Sequence, residues 1–209
     1  MNRLNKMNGL LLTAVIGLSL AIQSFTIKQT SMKIKEEQTA PDFSIQDAND
    51  STIYLAAYRG KKILLTFHRN TGCPVCNLRF HEVEQQSSYF KAKNLVVIAI
   101  YESSPENMKK YLVDQTPYTI MIPNPEQNLY RLYDIDHSTG KIFKGIFHGA
   151  LKKANEGKKL YQSKLKQDGN ANTIGADFLI DENGVVKRAY YGKFLGDHLP
   201  LEDIKTFLN

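Results

Sequence analysis

Two residues carry the obvious chemistry of this chain. Cys73 and Cys76 are its only cysteines, and they stand three apart in Gly72-Cys73-Pro74-Val75-Cys76. The apolar run Ile63-Leu64-Leu65-Thr66-Phe67 precedes them and reads as a buried strand. Proline one step past Cys73 suits the first position of a helix. The spacing therefore predicts Cys73 at an exposed helix N-cap and Cys76 one turn in, deeper on the same face. Residues three apart on a helix are neighbours, so the two sulfurs can reach each other. The partial positive charge of a helix start favours thiolate over thiol. A reachable thiolate backed by a second thiol suits thiol–disulfide exchange or peroxide reduction, closing a Cys73–Cys76 disulfide in either case. Neither reaction needs a cofactor or a metal. A third chemistry is zinc binding by Cys73, Cys76, His68 and His81, although structural zinc sites usually show a different spacing.

The elements that must hold this pair follow from the patterning. Pro41 to Asp47 alternates apolar and polar, Asp50-Ser51 turns, and Thr52 to Leu55 returns, which is a hairpin. Leu95 to Ile100 is a second fully apolar strand of the parallel-sheet kind. Ser104-Pro105-Glu106 starts a helix, Tyr118 to Ile122 is a third strand, and Glu126 to Tyr133 is helical. Asp177 to Ile180, a turn at Asp181–Gly184, and Val185 to Tyr191 form a second hairpin before a closing helix from Pro200 to Leu208. The order is that of an α/β, thioredoxin-like three-layer fold: a central mixed sheet, an N-terminal β-hairpin and a helical insertion at about 136–172.

Residues 1–23 stand apart. Arg3 and Lys6 precede the uncharged apolar stretch Gly9–Ile22, which reads as a secretory signal peptide or an N-terminal membrane anchor, with cleavage favoured. The polar residues 24–39 read as a linker and 40–209 as one domain. The expectation is an exported, periplasmic or extracytoplasmic protein, associated with a membrane if the leader is kept. In an oxidising compartment a structural disulfide is an alternative, but so small a ring constrains the unfolded chain little.

The formal charge of +6 concentrates between Lys141 and Lys166, with eight lysines against one acid, Glu156. No nucleic-acid motif accompanies them, so nucleic acid is not an expected partner. Ile142, Phe143, Ile146, Phe147, Ala150, Leu151 and Ala154 form an apolar helical stripe. It reads first as a helix packed on its own sheet, and alternatively as a docking surface or cover beside the cysteines.

These motifs together resemble the peroxiredoxin-like branch of the thioredoxin superfamily, the alkyl hydroperoxide reductase/thiol-specific antioxidant group. Phe67-His68-Arg69-Asn70-Thr71-Gly72-Cys73-Pro74-Val75-Cys76 is similar to that branch's strand-end motif. Pro41-Asp42-Phe43 with Gly60-Lys61 matches its entry hairpin. Asp177 to Asp181 with Gly184, and Tyr191-Gly192 with Gly196-Asp197-His198, match its C-terminal block. The resemblance implies an antioxidant oxidoreductase with Cys73 and Cys76 catalytic and Arg69, Thr71 and Pro74 supporting. It also implies a thioredoxin-like thiol reductant and a disulfide or hydroperoxide substrate. Two assignments follow: Cys73 attacks and Cys76 resolves a mixed disulfide, or, aligned by length from Phe67, Cys76 is peroxidatic and Cys73 resolving. Arg69 and Cys73 stand where true peroxiredoxins have proline and threonine, and the peroxide-assisting arginine of that family would fall near Gly175.

Overall fold

A computed structural model describes residues 32–112, 116–160 and 166–209. The expectations for residues 1–23 and for the start of the linker lie outside the described residues. β1 (Ser44–Gln46) and β2 (Thr52–Tyr54) form the entry hairpin, antiparallel to each other. β3 (Lys62–Phe67), β4 (Leu95–Tyr101) and β5 (Ile120–Pro123) run parallel; β6 (Ala176–Ile180) is antiparallel to β3, and β7 (Val186–Tyr191) antiparallel to β6, in a sheet ordered β5-β4-β3-β6-β7.

The alternation of β3 sorts the core. Ile63, Leu65 and Phe67 pack with the entry hairpin and α4 (Asn128–Leu132), where the Phe67 ring meets Tyr130 and Tyr133 with centroids 5.3 and 5.2 Å away. Leu64 faces the other layer, made by α1 (Pro74–Glu84), α2 (Ser87–Ala92) and α7 (Leu201–Leu208). Each such side chain stabilises the fold by about 1.5–3 kcal/mol when fully buried. The helical run after Cys73 is broken into α1 and α2 at Gln85 and Gln86, which turns Phe90 onto the sheet. α3 (Pro105–Tyr111) starts as its sequence implies, with Ser104 Oγ accepting from Asn107 N at 3.2 Å.

Part of the expected linker belongs to the fold. Glu37 N donates to Val186 O and Val186 N to Gln38 O, at 2.7 and 2.8 Å. The pairing is made by backbone groups while the side chains stay in water, so polar composition gives no sign of it.

The insertion also differs. Its apolar stripe is split into α5 (Thr139–Phe147) and α6 (Ala150–Lys158) at Gly149, whose φ of 86° a side chain would resist. The large side chains of the stripe do not form the buried face, although its Ala150 is buried. Phe143, Ile146, Phe147 and Leu151 are exposed, whereas Gly145, Ala150 and Gly157 are buried. α6 packs through small residues onto the first turn of α1, where a Cβ on Gly157 would fall 1.9 Å from the Pro74 carbonyl oxygen, and α5 sets Gly145 against Leu195.

Candidate active site

β3 ends at Phe67, and the loop 68–73 carries the chain into α1. Cys73 is the N-cap with extended backbone, and its Sγ accepts from Cys76 N at 3.3 Å. Pro74 takes the first helical position, where a missing N–H costs nothing. Cys76 Sγ–H donates to Cys73 Sγ across 2.7 Å, and both residues are free thiols. That donation is the main reason Cys73 is acidified; burial opposes it, and the Arg69 guanidinium and two helix N–H groups assist it. The result is a value lowered to about 7. Cys76 goes the other way: burial, its bond to Cys73 and the charge of that neighbour all raise it well above an ordinary thiol. Of the two thiols Cys73 is the more acidic.

The expected exposure of Cys73 is not found. Cys73 is 1% and Cys76 4% exposed. Ala154 of α6 and Leu195 pack on the cluster formed by Cys73, Val75 and Cys76. On the other side of the loop, a Cβ at Gly72 would meet the Lys166 carbonyl oxygen at 2.5 Å. The insertion thus lies against the cysteine cluster through Ala154 and against the preceding loop through Lys166. A cleft of about 330 Å³ runs along the same end of α1, bordered by Val75, Arg79, Lys153, His198 and Leu199. Val75 borders this cleft and also packs with the two cysteines.

Arg69 is half-buried at the end of β3, and its charge lowers both cysteines. Its Nε is buried without a hydrogen-bond partner. Burial keeps the neighbouring Glu102 carboxyl above its ordinary value, although Thr173 Oγ1 and Asn170 N donate to it at 2.5 and 2.6 Å. Thr71 serves the loop: its N–H donates to Ser103 Oγ at 2.8 Å, and Ser103 donates in turn to Asp168. The supporting residues thus divide, with Arg69 beside the sulfurs and Thr71 fastening the loop to the return of the insertion.

The two histidines offered as zinc ligands are engaged elsewhere. His68 stacks on Tyr101, 4.8 Å between centroids, and its Nε2 lies 3.3 Å from Thr66 Oγ1. His81 shares a hydrogen bond with Gln85. Among the described residues no group of three or more His, Cys, Asp or Glu side chains could hold a metal ion.

Sequence reasoning missed the charge beneath this layer. Asp177 is fully buried in β6 opposite Thr66, which donates to it at 2.5 Å. Leu199 N donates at 2.7 Å and the His198 Nδ1 lies 3.1 Å away. Burial alone would raise this carboxyl; the His198 charge and hydrogen bond, with Arg79 and Thr66, instead hold it well below the usual carboxylate range. Arg79 reaches over to donate to Leu199 O at 2.7 Å. His198 therefore pairs with Asp177, and its neighbour Asp197 only closes a loop through Tyr190 and Lys193 N. The legible signal was an acid inside the otherwise apolar strand Ala176–Ile180. His198 also fills the space beside Gly175, where a Cβ would fall 2.7 Å from its ring.

Comparison with known proteins fits this geometry. Residues 37–189 match the model of the AhpC/TSA family. The bcp protein of Helicobacter pylori (strain ATCC 700392 / 26695) is 26% identical over 122 residues, 57% of this chain and 80% of its own length. Peroxiredoxin Bcp of Bacillus subtilis (strain 168) is 25% identical over 118 residues, 55% of this chain and 75% of its own. Among solved structures, a cysteine-to-serine mutant of Xylella fastidiosa PrxQ superposes with a TM-score of 0.62 at 12% identity, covering 85% of this chain and 99% of that one. That likeness is one of fold.

Proposed function

The chain belongs to the AhpC/TSA family, whose chemistry is thiol-dependent oxidoreduction, and from that premise we propose that it reduces small hydroperoxides, with Cys73 attacking and Cys76 resolving. One observation carries the reading: the acidified sulfur of Cys73 is 1% exposed beneath Ala154 and Leu195. A two-oxygen oxidant needs only a small opening to reach it, whereas a protein disulfide needs the whole cover displaced.

The step balances with the groups present. The Cys73 thiolate attacks one peroxide oxygen; the S–O bond forms, the O–O bond breaks, and alkoxide or hydroxide leaves. The leaving oxygen takes the Cys76 proton, which is held 2.7 Å from the attacking sulfur. The Cys76 thiolate so formed attacks the sulfenic sulfur, closes the Cys73–Cys76 cystine and expels hydroxide, which solvent protonates. A thioredoxin-like dithiol returns two electrons and two protons. Arg69, with an unused buried Nε–H, faces negative charge both before and during attack.

The test uses reduced full-length protein and hydrogen peroxide. Consumption should exceed that of a free thiol at the same pH by at least a hundredfold. Cys73→Ser should abolish it, and Cys76→Ser should leave a sulfenic acid at Cys73 that dimedone captures. A rate equal to that of free thiol removes the peroxide reading.

Thiol–disulfide exchange is the second reading, favoured by the Cys-Pro-Val-Cys N-cap and the acidity of its first sulfur. It gains if Cys76→Ser instead accumulates mixed disulfides through Cys73. The basic leader and apolar stretch of residues 1–23 support an exported location for either reaction.

A further inference from the structure

We propose that the outer face of the insertion is a docking surface for an anionic lipid bilayer. Phe143, Ile146 and Phe147 are related by i, i+3 and i+4 on α5, and Leu151 lies in the first turn of α6. They are 61, 40, 86 and 61% exposed. Large apolar side chains standing together in water mark an interaction site, and here the inward side of the same helices is already filled by Gly145, Ala150 and Gly157.

The charges around the patch select the occupant. Between residues 141 and 160 there are six lysines and one acid, Glu156. Lys141 is committed to Asp136 and Lys153 to Gly196 O. Lys144 and Lys152 flank the apolar residues, and Lys158 and Lys159 are exposed beyond them; only Lys152 approaches Glu156, at 4.0 Å. A second copy of this chain would bring the same patch against itself and oppose lysine to lysine. A nucleic acid would answer the lysines and leave two phenylalanines in water. An anionic bilayer answers both, the rings and aliphatic side chains entering the acyl boundary while ammonium groups stay at the headgroups. α5 and α6 have 9 residues each, too few to span a bilayer, so this face seats on the surface. This inference stands apart from the choice between peroxide and disulfide.

The chain has no tryptophan, so Phe147→Trp in the full-length protein gives a single local reporter. Its emission should shift to the blue with vesicles of phosphatidylcholine and phosphatidylglycerol, and brominated acyl chains should quench it. Vesicles of phosphatidylcholine alone should give a much smaller response. Adding Lys144→Glu and Lys152→Glu should weaken the apparent partition by at least about tenfold, since each basic residue near such a surface contributes on the order of 1 kcal/mol. Four results overturn the proposal: no shift with anionic vesicles, equal shifts with both vesicle types, a shift without lipid that grows with protein concentration, or sedimentation with vesicles while the reporter stays unchanged. The last would mean that another segment holds the lipid.

Discussion

The sheet with α1 and the helix pair that covers it are built by opposite rules. In the first, large side chains point inward: Leu64, Leu65 and Phe67 of β3 are fully buried, and the polar exception, Thr66, is matched across the strand by Asp177. In the second, small residues point inward and large ones outward. Gly145 and Gly157 touch Leu195 and Pro74, while Phe143 and Phe147 face water. Large inward side chains bury apolar area and fix a single packing. Small inward residues let backbone approach backbone but bury little, so such an element is held with less free energy and opens locally at lower cost. The molecule thus joins a rigid frame that positions the sulfurs to a lighter cover that hides them.

Breaking the frame should produce the largest effect. Asp177→Asn removes a fully buried charge that serves Thr66, Leu199 N and His198. Taking one partner from a buried pair costs about 3–5 kcal/mol, so the urea midpoint should fall steeply. The wild-type pH dependence carries a sign. Burial pushes the carboxyl up, but His198, Arg79 and Thr66 together hold its folded value below the unfolded value of about 3.9. Its stabilisation is therefore complete above roughly pH 5 and is lost as pH falls through about 4 and toward the folded value. Asp177→Asn should flatten that acid limb. A loss under about 1 kcal/mol would mean that the network is not part of the frame.

Breaking the cover should change reactivity more than stability. Gly157→Val has no room beside the Pro74 carbonyl. Overpacking costs about 1–3 kcal/mol, and here it falls on the contact between α6 and α1, not on the sheet. Alkylation of Cys73 by iodoacetamide at pH 7 should accelerate, by about tenfold for every 1.4 kcal/mol taken from the closed state, while far-ultraviolet circular dichroism stays that of the wild type. Equal rates in the two proteins, both matching a free thiol of the same acidity, would show that the cover is open in solution.

This contrast also explains what could be read from residue order. The strands, the hairpins and the Cys73 cap announce themselves through period-two patterning, glycine turns and proline at a helix start. The frame's charged layer was half visible: Asp177 interrupts an apolar strand, but nothing local assigns it His198, 21 residues away, over its neighbour Asp197. The sequence leaves the cover as an alternative to a sheet-packed helix because helical periodicity reports which residues are apolar, not which face is inward. Phe143 and Phe147 dominate that signal and point outward, whereas Gly145 and Gly157 are decisive and contribute nothing to it. The burial of Cys73 followed from the same omission.

The seam between frame and cover gives the smallest and most discriminating effect. Arg69 lies two residues past β3, and its carbonyl accepts from Glu102 N at 2.7 Å; Glu102 in turn accepts from Asn170 N and Thr173 Oγ1 at the return of the insertion. Its guanidinium is one cause of the Cys73 value of about 7, after the Cys76 hydrogen bond. Arg69→Met should thus raise the midpoint of Cys73 alkylation by about one unit, since a single nearby opposite charge shifts a pKa by roughly 1–3 units when close. At pH 6 the rate should fall several-fold, and at pH 9, where the thiolate is formed in both proteins, it should not change. Peroxide reduction offers a separate reading of the same variant. If Arg69 acts only by keeping the thiolate, peroxide and iodoacetamide rates should fall in parallel across the pH range. If its unpartnered Nε–H also stabilises the oxygen that leaves, the peroxide rate should remain depressed at pH 9 while alkylation has recovered. An unshifted midpoint would confine Arg69 to holding the strand end against the cover.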